Sequence, residues 1–110
     1  MQVISLDPHF HFHFANGYED EETNKLVIDM IRCDFMTLGE TSRSDRPLWE
    51  DLDYAKEVPY SRLERYTVDL SGNQATKFKR ERIANSYMDF PVINPAYACK
   101  KVRSFYIAYQ

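Results

Sequence analysis

Histidine and phenylalanine alternate along one short stretch near the start of the chain, from His9 to Phe14. In an extended strand successive side chains point to opposite faces, so the histidines would share one face and the phenylalanines the other. The aromatic face predicts packing in a core, and imidazole is the commonest metal ligand among side chains. The sequence therefore predicts a β-strand over residues 9–15, with three candidate ligands and three candidate core residues. The ligands are His9, His11 and His13, and the core residues are Phe10, Phe12 and Phe14.

Composition narrows the class of protein. With 110 residues, 44% of them hydrophobic and 28% charged, the chain has the size and balance of one small globular domain. Aromatic residues make up 15% and favour β structure. The formal net charge of -3 argues against a nucleic-acid partner, which usually meets a basic face. Cys33 and Cys99 do not make a disulfide framework, and both are predicted to be buried, reduced thiols.

Further strands are predicted along the chain. Asn16-Gly17 is a hairpin turn signal after the first strand, and the apolar run from Leu26 to Cys33 predicts a second strand paired with it. A short helix is predicted at 48–56, ended by Pro59. The remaining predicted strands are 62–70, 76–83, 88–93 and 102–109, and 62–83 is expected to be an outer hairpin with a wet face. Strand-turn-strand units of this spacing suit the blades of a propeller.

Two segments resemble motifs of one family, the carotenoid cleavage oxygenases. Residues 12–20 resemble its Phe-His-x-x-Asn-Ala-(Tyr/Trp)-Glu-(Glu/Asp) segment, and residues 89–97 resemble its Glu-Phe-Pro-x-Ile-Asn-x-x-Tyr segment. Residues 100–106 are similar to the basic and aromatic continuation of the second segment. Both motifs occur in the family's order and at roughly its spacing, and nearly the whole chain lies between them.

The resemblance implies an all-β fold. Residues 1–110 would form a partial carotenoid oxygenase domain, a fragment of about two blades of a seven-bladed β-propeller. A closed propeller needs several times this length, so the chain is expected to be part of a longer protein. No targeting segment is recognisable in the sequence, and no compartment is predicted.

The resemblance also implies a metal site. In the family four histidines hold Fe(II) and leave room for O2, and His13 alone fits the register of one of these ligands. Asp89 matches a glutamate that accepts a hydrogen bond from an iron-binding histidine. Because Asp is one methylene shorter, we expect that bond to need a backbone shift or a bridging water; the alternative is a solvent-facing Asp89 at a strand end. His9 and His11 are interpreted as incidental polar residues, although they could line the same cavity.

The implied function is that of a non-haem Fe(II)-dependent oxygenase. It would use O2 to cleave a carbon-carbon double bond of a carotenoid or apocarotenoid into carbonyl products. One histidine and one carboxylate cannot hold catalytic iron, so residues 1–110 alone are expected to be inactive. Nucleic acid is not an expected partner, and any peripheral membrane contact would involve parts outside this chain.

Two alternatives stay open on the sequence. One is a non-catalytic descendant of the family that binds an apolar ligand or a partner protein, which the aspartate at position 89 favours slightly. The other is an unrelated small β protein that binds a metal through His9, His11 and His13.

Overall fold

The described residues form an all-β structure. The computed structural model describes residues 3–36, 60–71 and 78–109, and these ranges contain six strands and one 3-10 turn. The elements are β1 (Phe14–Asp20), β2 (Lys25–Arg32), β3 (Arg62–Asp69), β4 (Phe78–Arg82), β5 (Met88–Val92), the 3-10 helix (Pro95–Tyr97) and β6 (Tyr106–Tyr109). Over these ranges the chain has no helix with the length and apolar character needed to span a membrane. The prediction of an all-β fold is confirmed.

Two antiparallel sheets organise the strands. The first has four strands in the order β1-β2-β3-β4, so each strand pairs with the next along the chain. The second contains β5 and β6, and β5 contacts β1, β2 and β3. The predicted pairing of the first two strands is confirmed, and the second sheet packs against one face of the first.

The hydrophobic core lies where the two sheets meet. Ile31 is 2% exposed and Leu63 is 3% exposed, and these two residues face each other across β2 and β3. Ala15 from β1 and Met88 from β5 complete the buried cluster. Burying a side chain such as that of Ile31 or Leu63 contributes about 1.5–3 kcal/mol. Around this cluster pack three partly buried residues, Ala84, Phe105 and Ile107.

A buried ion pair joins β2 and β3 of the first sheet beside this core. Asp29 is fully buried and is the direct cross-strand partner of Arg65. Arg65 donates from Nε to Asp29 Oδ1 at 2.7 Å and from Nη2 to Oδ2 at 2.9 Å. The hydrogen bonds to Asp29 raise the pKa of the Arg65 guanidinium. This two-pronged contact pairs the buried carboxylate with a cation.

A second group of charges lies on the opposite face of the sheet. Glu64 is 3% exposed, and three guanidinium groups surround it. The Nε atoms of Arg80, Arg32 and Arg82 lie 3.6, 3.8 and 3.9 Å from the Glu64 carboxylate oxygens. Arg32 also donates a hydrogen bond to the exposed Asp34, which holds the pKa of that carboxyl below its usual value.

Strand β4 forms an exposed edge of the four-stranded sheet. Its sequence is Phe78-Lys79-Arg80-Glu81-Arg82, and every residue of it is exposed or half-exposed. Glu81 accepts a hydrogen bond from Lys79 at 2.6 Å, a contact along the same strand. The predicted pairing of β3 and β4 is confirmed, but only β4 is exposed, whereas β3 lies inside the sheet and is largely buried.

The first strand and its turn lie further along the chain than predicted. Asn16 and Gly17 are inside β1 instead of in a turn, and the connection to β2 runs through residues 21–24. The turn chemistry lies there: Asp20 accepts a hydrogen bond from the Thr23 N–H at 3.3 Å, and Asn24 has a positive φ of 50°. The strand continues past Asn16, and this extended backbone buries the apolar ring of Tyr18.

The alternation of residues 9–14 does not form one continuous strand. Phe10 pairs with Cys33 in an isolated bridge, and the chain bends at Phe12 before β1 begins. Phe12 and Phe14 are 58% and 56% exposed, so predicting them as core residues was wrong; Phe10 is half-buried. The bend breaks the two-residue period that would have placed the three rings on one buried face.

The predictions for the two cysteines have different outcomes. Cys33 is buried as predicted, whereas Cys99 is exposed because it follows the surface 3-10 turn instead of lying in a strand. The predicted helix at 48–56 lies outside the described residues.

Candidate metal centre

The candidate centre begins with His13, immediately before β1. The His13 carbonyl accepts a hydrogen bond from the Ile31 N–H at 3.0 Å, which ties this position to β2 and the core. Its imidazole is 41% exposed, so the ring lies at the border between the protein and an open space. A rigid backbone with an accessible ring is the combination that a metal ligand needs.

Asp89 in β5 meets His13 directly. The His13 Nδ1–H donates to Asp89 Oδ1 at 2.8 Å, joining residues that are 76 positions apart in the chain. The same oxygen accepts a hydrogen bond from the Phe90 N–H at 2.7 Å. Because a carboxylate only accepts hydrogen bonds, this arrangement assigns the proton of the neutral imidazole to Nδ1. The Nε2 lone pair is then left for another partner.

The backbone around Asp89 is irregular. Asp89 pairs with Ala108, but the register of β5 and β6 slips between Asp89 and Val92. Phe90 has a φ of 53°, in the left-handed region that residues other than glycine rarely adopt. In this geometry the aspartate carboxylate reaches the imidazole without a bridging water. The contact between the two predicted residues is therefore present, and Asp89 is not simply a solvent-facing residue.

Apolar groups border the imidazole. The Phe90 ring lies 5.1 Å from the His13 ring, centroid to centroid, and the Phe12 ring lies 6.2 Å from it. Burial raises the pKa of the nearby Cys33 thiol, with the charge of Asp89 as the next contribution. Burial and the raised pKa favour the neutral thiol of Cys33 in the described part of the chain.

Asn16 is a residue of this region whose role the sequence did not reveal. It lies in β1 and is 8% exposed. Its Nδ2 donates to the Lys100 carbonyl at 2.8 Å, and its Oδ1 accepts from the Cys99 N–H at 3.3 Å. The prediction of Asn16 as part of a turn was wrong, because the residue lies within β1. Tyr18, on the same face of β1, is the sequence signal that the strand continues.

The other two histidines lie apart from this pair. The rings of His9 and His11 are 5.6 Å from each other, and His9 stacks on Tyr66 at 6.0 Å. Burial lowers the pKa of His11, and the charge of His9 lowers it further. In the part of the chain that the structure describes, no three His, Cys, Asp or Glu side chains come together as a metal site. The alternative of a metal held by all three histidines gains no support from this arrangement.

The donor chemistry at His13 fits one ligand of a metal ion. Imidazole nitrogen suits iron, and metal-bound histidines usually donate their other ring N–H to a carboxylate or carbonyl group. His13 already makes that outer hydrogen bond, and its Nε2 has no hydrogen-bond partner among the described residues. The chemistry of His13 and Asp89 thus fits one ligand position and a carboxylate behind it, and a complete centre would need further ligands.

Known structures resemble this fold. The crystal structure of cobalt-substituted Synechocystis ACO matches with a TM-score of 0.77 and 21% identity, covering 96% of this chain and 20% of that one. An ACO/RPE65 chimera matches with a TM-score of 0.77 and 22% identity over the same shares of the two chains. A Glu-to-Asp variant of the Synechocystis apocarotenoid oxygenase (ACO) matches with a TM-score of 0.72 and 22% identity, covering 91% and 19%.

These matches establish the architecture. The chain spans about a fifth of the length of the structures that it matches, and the matched protein ACO is a β-propeller. The predicted fold class, an all-β part of a propeller, is confirmed. No curated protein sequence matches the chain significantly.

Membership of a family follows from the sequence itself. The profile of the family described as retinal pigment epithelial membrane protein matches residues 2–110, nearly the whole chain. This agrees with the two motifs that His13 and Asp89 represent. The chain therefore belongs to the retinal pigment epithelial membrane protein family, the family of carotenoid cleavage oxygenases.

Proposed function

We propose that this chain provides part of the active centre of an Fe(II)-dependent oxygenase that cleaves a carotenoid or apocarotenoid. The observation that carries the proposal is the hydrogen bond from His13 Nδ1 to Asp89 Oδ1. It joins the two family motifs in space and leaves Nε2 as a metal-binding nitrogen. His13 is proposed as one iron ligand and Asp89 as the carboxylate that supports it. The further ligands would come from outside residues 1–110.

Asp89 has a defined task in this proposal. By accepting a hydrogen bond from Nδ1–H it fixes the tautomer and the orientation of the ring, and it makes Nε2 a stronger electron-pair donor to a metal. The Phe90 N–H holds the accepting oxygen in place from the other side. The aspartate at position 89, which favoured a non-catalytic descendant on sequence alone, does not break this support.

The surroundings of His13 suit an apolar substrate. Phe90 and Phe12, both more than half exposed, present aromatic surface beside the imidazole. Such surface would exclude water and pack against a polyene without hydrogen bonds. Bound Fe(II) would supply the activation of O2, and the double bond would be converted into two carbonyl groups that take one oxygen atom each from O2.

The test uses the longest product of the gene that contains residues 1–110, loaded anaerobically with Fe(II). The expected result is tight iron binding, O2 consumption that depends on an added apocarotenoid, and labelled carbonyl products when the gas is ¹⁸O2. His13→Ala should abolish activity and weaken iron binding strongly. Asp89→Asn should weaken iron binding by about 10–100-fold, the usual effect of removing a carboxylate behind a ligand histidine.

His9→Ala is the matched control, because it removes an imidazole that stacks on Tyr66 and hydrogen-bonds to the Asp7 carbonyl instead of to Asp89. This control should keep both iron and activity. The proposal is wrong if His13→Ala behaves like His9→Ala, or if the iron-loaded protein consumes no O2 with any apocarotenoid.

A further inference from the structure

Asn16, which follows His13 in the same motif, links β1 to the connection between β5 and β6. Its amide bonds two consecutive backbone groups, the Cys99 N–H and the Lys100 carbonyl, in the connection between β5 and β6. The first family motif therefore contacts the second sheet at two places. His13 holds Asp89 at the start of β5, and Asn16 holds the turn that follows the 3-10 helix.

A β-bulge directs the Asn16 side chain to this face. Phe14 pairs with Met30 whereas Asn16 pairs with Asp29, so β1 has one extra residue at Ala15. Cross-strand partners share a face of the sheet, and Asp29 lies on the face of Ile31, where the second sheet packs. Without the bulge Asn16 would lie on the opposite face. Bulges that redirect a side chain are common next to functional sites.

The turn that Asn16 holds needs an external partner. Cys99 has a positive φ of 60°, a conformation that costs a non-glycine residue free energy unless its surroundings stabilise it. Asn16 is buried, and both its donor and its acceptor are used in this contact. The same connection leads into β6, whose Ala108 is the cross-strand partner of Asp89. The position of Asp89 is therefore linked to the Asn16 contact through one short strand.

We propose that Asn16 is a positioning residue of the metal centre, whose amide fixes the second sheet so that Asp89 accepts a hydrogen bond from His13 Nδ1–H. The inference rests on the proposed role of His13 as an iron ligand. Asn16 itself does not touch the imidazole. It acts through the β5–β6 connection, and its removal should loosen the imidazole's hydrogen bond while both residues of the pair remain present.

The test measures the tautomer of His13 in the chain, by long-range ¹H–¹⁵N NMR of the imidazole at about pH 8, above the usual histidine range. The unaltered chain should show a single Nδ1–H tautomer for His13. Asn16→Ala should give a mixture of the two tautomers. Asn16→Asp is the second variant: it keeps the size of the side chain and the acceptor for Cys99 but turns a carboxylate oxygen toward the Lys100 carbonyl, so it should give a mixture at least as even as that of Asn16→Ala.

Asn94→Ala is the matched control. The Asn94 side chain accepts a hydrogen bond from the Ala96 N–H at 3.0 Å, within the same connection, and it has no hydrogen bond to β1 among the described residues. This variant should leave the His13 tautomer unchanged. In the iron-binding gene product, Asn16→Ala should weaken iron binding by ~10-fold, the lower end of the range for a residue behind a ligand.

The inference is overturned if Asn16→Ala folds and keeps the single Nδ1–H tautomer. It is also overturned if Asn16→Ala and Asn16→Asp both unfold the chain, since Asn16 would then be a residue of general stability. The tautomer is read without metal, so this outcome is independent of the proposed function. If His13→Ala left iron binding intact, the proposed function would fail while the tautomer result stood.

Discussion

Replacing Arg65 with methionine should destabilise the chain severely, because it removes the one counter-ion that the buried Asp29 has among the described residues. Asp29 is fully buried and Arg65 is 29% exposed, and two hydrogen bonds of 2.7 and 2.9 Å join them. Breaking a buried ion pair from one side typically costs 3–5 kcal/mol, so we expect Arg65→Met to lose about 3–4 kcal/mol, since water partly reaches the arginine side. A domain of this size has only ~5–15 kcal/mol in total.

The assay is urea unfolding of the chain near neutral pH, followed by circular dichroism. Lys79→Met is the matched control: Lys79 is 70% exposed in its pair with Glu81, and such pairs contribute at most ~1 kcal/mol. Asp29→Leu combined with Arg65→Met removes both charges and should recover most of the loss, because apolar replacements of buried pairs are often tolerated. If Arg65→Met lost no more than Lys79→Met, the argument that Asp29 depends on this single cation would be refuted.

Two further predictions concern titratable groups. Burial raises the pKa of Cys33, whereas Cys99 is exposed, so iodoacetamide should label Cys99 quickly and Cys33 only slowly. Peptide mass spectrometry measures both rates, and the difference should be lost in denaturant. Equal labelling rates in the folded chain would contradict the prediction. The hydrogen bond from Arg32 lowers the pKa of Asp34 from its usual 3.8, so its stabilisation is present above that pH and lost as the pH falls through the lower folded value. Asp34→Asn should therefore lower the urea midpoint near neutral pH but not in strong acid. The effect should be small because Asp34 is 58% exposed. An equal loss at both pH values would contradict this prediction.

The sequence predicts the strands better than it predicts their limits. Runs such as Leu26 to Cys33 are apolar, short and bounded by polar residues, and their pairing as antiparallel neighbours follows from local order. The alternation around Phe12 misleads because period two is only a property of an extended chain, and the chain bends there. Asn16-Gly17 is misleading for a related reason. The pair is typical of a turn, but Asn16 lies inside a strand, where its side chain forms hydrogen bonds with Cys99 and Lys100, which are distant in sequence.

The candidate site was likewise predictable only in part: its residues could be named from the sequence, but their contact could not. The motifs identify His13 and Asp89, although nothing in their spacing shows that they touch. Their contact depends on how β5 packs on the first sheet and on the unusual backbone at Phe90, and both are properties of the folded chain. The shorter side chain at position 89 suggested a weakened contact, whereas the local backbone allows a direct one.

The exposed edge strand β4 has a consequence for self-association. An unpaired strand edge offers backbone hydrogen bonds to any other extended chain, and this is a common route to aggregation. Within five residues β4 has three cations and a single anion, Lys79, Arg80, Arg82 and Glu81. A second copy that added its own β4 to this edge would bring an excess of positive charge against positive charge. The charge of β4 therefore disfavours pairing of this edge with a second copy of the chain.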